Sequence, residues 1–235
     1  MKKLLIFILM LFVTVGIASA LTVSPNPVSM SGNVSTTVNG NFSISTVTNV
    51  TGITFVKSDL VGSIVNISSS YLTFNQSTPF NMLNGTTTNV IASVAIPASA
   101  YAGTYNGQVN VTDGVGNSSL LNISLTVQTV NAMSANSTAS ITSEADVSRT
   151  ASLIITNTGS TNLTNINITG SNIYDADNDT IILSYSPNNF ALAPGNQRTV
   201  TITANINKNV DPDDYTRIIR VNATVTGASA SSTLT

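Results

Sequence analysis

Three aspartates at alternating positions, Asp175, Asp177 and Asp179 in IYDADNDTI, are the group in this chain best spaced to do chemistry. Carboxylate oxygens two residues apart on a curled loop can converge on a hard cation. No cofactor is required; Ca²⁺, which takes about six to eight oxygen ligands, is the one such a group could hold, with Asn178, Asp211, Asp213 and Asp214 as further donors if the loops meet. The EF-hand pattern is not met, because no Gly falls at the sharp turn and no Glu closes a loop of the required length. Three acids beside an Asn also make an ordinary solvated turn, and like charges this close repel one another without a counter-ion.

Covalent modification has a clearer basis. Asn-x-Ser/Thr acceptor triplets begin at Asn33, Asn41, Asn49, Asn66, Asn75, Asn84, Asn110, Asn117, Asn122, Asn136, Asn162, Asn167, Asn178 and Asn222, and a subset is expected to carry glycans wherever the transferase exists. Catalysis is poorly supported, and no catalytic residue and no enzyme activity are expected. Ser and Thr are plentiful, but the chain has no His to activate them and no glycine-rich loop with phosphate-cradling spacing. Two carboxylates can suffice for a glycosidase, yet Glu144 is the only Glu and Trp is absent. Tyr71, Tyr101, Tyr174 and Tyr185 could stack a saccharide face, which keeps carbohydrate binding in the cell envelope as the alternative function.

Composition narrows the setting. With no Cys and no His, disulfides, thiolate ligands and zinc-histidine sites are excluded, so an exported domain must be held by its core or by bound ions. Beyond Lys3 the basic residues are Lys57, Arg149, Arg198, Lys208, Arg217 and Arg220, against ten acids. That scattered, weakly negative balance argues against nucleic acid, whose binding leans on phosphate neutralisation. Between Leu21 and Ser143 the only charged residues are Lys57, Asp59 and Asp113; the first half stays in solution on Ser, Thr and Asn.

The elements that must position these groups repeat. Phe190–Val225 reads as a turn, a strand alternating through Val200, Ile202, Ala204 and Ile206, an acidic loop, and a second strand from Tyr215 through Ile219 and Val221. In a strand, side chains two apart share a face. Shifted back by 110 positions the pattern recurs: Phe80 falls on Phe190, Gly85 on Gly195, Val90 on Val200, Tyr105 on Tyr215 and Val111 on Val221. Short strands with turn residues between them, and no helix-length period of 3.6, predict an all-β fold of two tandem immunoglobulin-like β-sandwich domains, residues 21–130 and 131–235. Glycines 40, 52 and 62 are expected to separate strands in the first. Residues 128–137 are expected to form a short, soft join.

MKKLLIFILMLFVTVGIASA at the start has a charged beginning, an apolar run and Ala18-Ser19-Ala20. It is expected to be a secretory signal, residues 1–20, cleaved after Ala20 and leaving a secreted or cell-surface product. An uncleaved segment anchoring the chain in the membrane is the alternative. After Val225 only TGASASSTLT remains, so the second domain is expected to lack a closing strand and to offer an edge to which a neighbour's residues 21–31 could add. Pro25 and Pro27 weigh against that donor, since each removes a ladder N–H.

ITNTGS at Ile155–Ser160, LAPGNQRTVTITANI at Leu192–Ile206, DDYTRIIRVNATV at Asp213–Val225 and IPASAYAGTYNGQVNVT at Ile96–Thr112 resemble the immunoglobulin-like modules of the CARDB type and those beside α-galactosidase domains in archaeal and bacterial surface proteins. The resemblance implies a seven-stranded sandwich used as a spacer, adhesion or presentation module. Its implied partners are other cell-surface proteins or envelope glycans, and it carries over no catalytic residue.

Overall fold

A computed structural model describes residues 21–235 except Thr226; the expected signal peptide, its cleavage point and the alternative anchor lie outside the described residues. The first half holds β1 (Leu21–Ser24), β2 (Val28–Gly32), β3 (Thr37–Thr46), β4 (Val50–Lys57), β5 (Leu60–Val61), β6 (Asn66–Ile67), β7 (Leu72–Phe74), β8 (Phe80–Met82), β9 (Thr87–Ala95), β10 (Gly103–Thr112) and β11 (Ser118–Val127). The second holds β12 (Met133–Ala135), β13 (Thr138–Ala139), β14 (Ser148–Asn157), β15 (Leu163–Thr169), β16 (Ile173–Tyr174), β17 (Thr180–Ser186), β18 (Phe190–Leu192), β19 (Gln197–Ile206), β20 (Arg217–Asn222) and β21 (Ser229–Leu234). Among the described residues the only helical element is a single 3₁₀ turn, Ser69–Tyr71.

No described sheet takes strands from both halves. The first half pairs β1-β3-β9-β7 in one sheet and β2-β11-β10-β4-β8 in the other, with β5 and β6 alongside β10; the second pairs β12-β14-β19-β17-β16 and β13-β21-β20-β15-β18. Each half encloses its own core, one running from Leu21 to Val127 and the other from Met133 to Leu234. The chain is all-β, and each half is β-sandwich-like.

The alternation read in β19 holds: Val200, Ile202 and Ala204 are buried, while Thr199, Thr201 and Asn205 face water. Burying each such branched side chain is worth roughly 1.5–3 kcal/mol. The repeat shows in the pairing as well. Phe80 lies opposite Ile53 and Phe190 opposite Ile166, each beside a register shift in the partner strand.

Four expectations need correction. Neither Gly40 nor Gly52 breaks a strand: β3 runs through Gly40, where a Cβ would come within 2.3 Å of Val28 and 3.0 Å of Met30, so the missing side chain lets β2 lie across it, and β4 runs through Gly52 at its register shift with β8. The join is not soft, since β12 lies inside residues 128–137 and pairs with β14. Tyr215 is only half-buried and precedes β20, whereas Tyr105 is buried within β10.

The fourth concerns the second half's edge. β21 closes that half, pairing with β20 from Arg217↔Leu234 to Asn222↔Ser229 and with β13 on its other side. Its small residues suffice because only Ala230, Ser232 and Leu234 face the core, beside Ala228. The proposed donor is also engaged, with β1 on β3 and β2 on β11. Strand addition at this edge would have to displace a strand already in place.

Candidate functional site

The turn ITNTGS sits where the two halves meet. Asn157 is fully buried; its amide donates to Thr161 O and Leu192 O, both at 2.8 Å, and its Oδ1 accepts from Gly159 N–H at 2.9 Å. A buried side-chain amide whose groups are all paired locks the loops around it. Ser160, also fully buried, grips the linker: its hydroxyl donates to Gln128 O at 2.7 Å and accepts from Val130 N–H at 2.8 Å. Ala102 N–H in the first half donates to Ser160 O at 2.9 Å, and Gly195 lies so close to Ala98 and Ser99 that a Cβ would fall 3.0 Å from their backbone. The residues of this joint were visible only as a turn motif, since nothing in a Ser-rich sequence marks Ser160 as the one that binds the linker.

At the opposite end of the second half, a cavity of about 360 Å³ opens between its two sheets. Ile173, Ile181, Leu183, Ala204, Ile206 and Val210 form its apolar wall, and Glu144, Asp211, Asp213 and Asp214 stand at its rim with Tyr215. The Tyr215 hydroxyl donates to Asp211 O at 2.9 Å, as the Tyr105 hydroxyl donates to Tyr101 O at 2.9 Å. Both tyrosines therefore tie down the loop before them, the aromatic body packing while the hydroxyl bonds the backbone. Lost hydration, followed by the nearby carboxylates of Asp175, Asp213 and Asp211, raises the Tyr215 phenol above its ordinary value. Burial likewise raises Tyr105 and Tyr185.

Beside this cavity the three spaced aspartates do not converge. The Asp175 carboxylate accepts backbone N–H groups from Asp177 at 3.0 Å, Asp179 at 2.8 Å and Asp211 at 3.2 Å. Asp175 joins two loops through their amides, and Asp177 is exposed on the turn it closes. Among the described residues no three acidic side chains group as a metal site.

The acceptor asparagines are spread over both halves. Asn110, Asn117 and Asn136 are half-buried and the others are exposed. Two have committed the nitrogen that a glycan would take: Asn117 Nδ2 donates to Asp113 Oδ2 and Asn136 Nδ2 to Thr138 O, both at 2.7 Å. Of the four tyrosines considered for stacking, Tyr71 and Tyr174 are exposed and lie in different halves, while Tyr101 and Tyr185 are half-buried. A second hollow, of about 540 Å³, is bounded by Arg217 and Arg220 with the hydroxyls of Thr169, Ser171, Thr216 and Thr233.

No family model matches this sequence, the CARDB type included, and no curated protein matches it. Among solved structures the chain is remotely similar to a family 123 glycoside hydrolase from Clostridium perfringens, at 19% identity and a TM-score of 0.39 over 45% of this chain. That match covers only 23% of the hydrolase. It is also similar to an ASH/PapD-like domain of human CEP192, at 8% identity and a TM-score of 0.40 over 49% of this chain and 90% of that domain. A third is the CupB2 chaperone of Pseudomonas aeruginosa, at 8% identity and 0.34 over 90% and 98%. Among the described residues no helix is long and apolar enough to cross a membrane.

Proposed function

We propose that this chain is a non-catalytic exported protein of the cell surface, two immunoglobulin-like modules used for structure or adhesion, with other surface proteins or envelope glycans as partners. The observation that carries the reading is the fixed joint. Gln128, Val130 and Ala102 are all bound to Ser160, so the two cores are held end to end through a short linker, which suits a spacer that transmits position better than a hinged enzyme. The wide distribution of acceptor triplets and the uncharged surface of the first half support an extracellular setting. Cell fractionation with surface labelling tests it: the product is expected in the envelope or medium and beginning at Leu21. Recovery in the cytoplasm with Met1 intact would defeat the reading.

A second reading, carbohydrate binding, draws on the hollow bounded by Arg217 and Arg220, where guanidinium groups beside hydroxyls suit an acidic saccharide. Glycan-array binding that disappears in Arg220→Ala would favour it over a purely structural role.

A further inference from the structure

The two halves repeat one another, so each end of the chain can be compared with the buried joint between them. The far end of the first half, which faces the joint, is sealed: Val34, Ile96, Ala100, Tyr105 and Val127 are all buried there. Leu60 and Ile67 of β5 and β6 fill the same core. The 110-residue offset places Ile206, Val210 and Tyr215 at the positions of Ile96, Ala100 and Tyr105, and these line the open cavity together with Ile141 and Leu234. Between β15 and β17 the chain carries only β16 and the acidic turn, with no counterpart to the β5 and β6 hairpin.

The near end shows the converse. In the second half Gly195 is pressed against Ala98 and Ser99 of the first, whereas its equivalent, Gly85, has nothing within 4 Å of where a Cβ would stand. Around Gly85 the first half bears three exposed apolar side chains, Val47 at 62%, Leu83 at 69% and Val115 at 80%. Their loops are fixed to one another, with Gly85 N–H donating to Thr46 O at 2.9 Å, Asn84 N–H to Asn49 Oδ1 at 2.8 Å and Gly114 N–H to Thr51 O at 2.8 Å. The neighbouring acid, Asp113, is turned into its own loop. Apolar side chains clustered on a preorganised, uncharged tip mark an interaction surface.

We propose that copies of this chain associate head to tail, the Val47, Leu83 and Val115 tip of one copy seating on the distal cavity of another's second half. This rests on the surface-module reading and names its partner, a second copy of the chain. The contact takes its direction from the joint inside the chain, where the Gly195 end of the second half, the equivalent of the Gly85 tip, meets the loop holding Ala98, Ser99 and Ala102 of the first. Leu83 and Val115 enter between the sheets, and Glu144, Asp211, Asp213 and Asp214 remain in water at the rim. Because the two surfaces differ, the contact does not close on itself and extends into rows.

Sedimentation velocity of the exported chain, made in a host that does not glycosylate Asn49, Asn84 or Asn117, tests this over a concentration series to about 1 mM. Wild type is expected to form oligomers that grow with concentration. Leu83→Asp with Val115→Asp, at positions exposed enough to leave the fold intact, is expected to weaken association at least tenfold. Ala145→Trp, which fills the cavity from an exposed position, is expected to do the same. Mixing the two defective variants is expected to restore pairs but not rows, because each keeps one working surface. Wild type that stays monomeric throughout, a tip variant that associates unchanged, or a mixture that forms no pairs would each overturn the proposal. None of these results would move the chain from the cell surface, so the functional reading falls or stands separately.

Discussion

The turns that follow β14 and β3 occupy matching places in the two halves: Asn157 and Thr46 each accept the N–H of the facing glycine, Gly195 or Gly85, and each side chain holds the amide two residues on, yet only the first turn is covered by the other half. Asn157 pairs both its donor and its acceptor inside the protein, beneath the linker and the loop carrying Ala102. Thr46 is buried too, its hydroxyl bonded to Thr48 N–H and Thr48 O, but Val47 and Thr48 above it are exposed. The difference arises from what lies on top and not from the turn itself. A repeated sequence thus yields a turn that is covered in one half and open in the other.

The most severe way to break the comparison is to unfold one half alone. Ile202 has no exposed surface, and Ile202→Asp would place a charge with no partner in an apolar core at a cost of about 4 kcal/mol or more. The second half should lose its melting transition. If the first half keeps its own transition in calorimetry, the two cores fold separately; if both are lost together, the Ser160 joint couples them.

A smaller effect separates the two turns directly. Asn157→Ala strands two carbonyls and one N–H in the interior and should cost about 3 kcal/mol, whereas Asn49→Ala releases one exposed amide to water and should cost less than about 1 kcal/mol. Chemical denaturation of the two variants measures both. Equal losses would show that the joint adds nothing to the turn it covers.

Much of this was legible in the chain. Period-two alternation in β19 and the 110-residue offset between the halves gave the strands and the doubling, because both follow from side-chain geometry that each strand carries within itself. What stayed hidden depended on contacts between distant residues. Gly40 looked like a break, yet it is the clearance for β2; TGASASSTLT looked too poor for a strand, yet β20 supplies its ladder and only two of the six β21 residues are buried. The aspartate spacing suggested an ion and could not reveal that Asp211 N–H, 36 residues away, is what Asp175 meets.

Acid should distinguish the halves by one side chain. Asp113 is buried. Burial opposes its charge, but the Asn117 side chain and the backbone N–H groups of Asn117, Val115 and Gly116 outweigh that cost and lower its pKa. A depressed pKa means that the ionised carboxylate stabilises the fold above the ordinary carboxylate range of about 4, and that this contribution is lost as pH falls through the folded value. The first half should therefore lose stability from this group as pH falls below the ordinary carboxylate range of about 4. At the equivalent place the second half has Ala223. Asp113→Asn should flatten the acid dependence of the first half's melting temperature; an unchanged slope would show that the Asp113 carboxylate does not carry it.

The smallest expected effect concerns the acidic turn, where the second half differs from the first in charge. Asp175 holds the N–H groups of Asp177, Asp179 and Asp211 from a half-buried position. Its loss in Asp175→Ala should cost about 1 kcal/mol, because water can replace part of what the carboxylate gave. Asp177 holds none of these bonds, so Asp177→Asn should change stability by less than about 0.5 kcal/mol and in the favourable direction, since it removes one of several crowded negative charges. An ion-centred loop would behave in the opposite way, with both aspartates needed and stability rising with metal. Adding millimolar Ca²⁺ is therefore expected to leave the melting temperature of the second half unchanged in wild type. If Ca²⁺ instead raised it, and Asp177→Asn abolished the rise, the loop would have to rearrange around the ion, with Asp175 giving up its hold on Asp211 and the wall of the distal cavity moving with it.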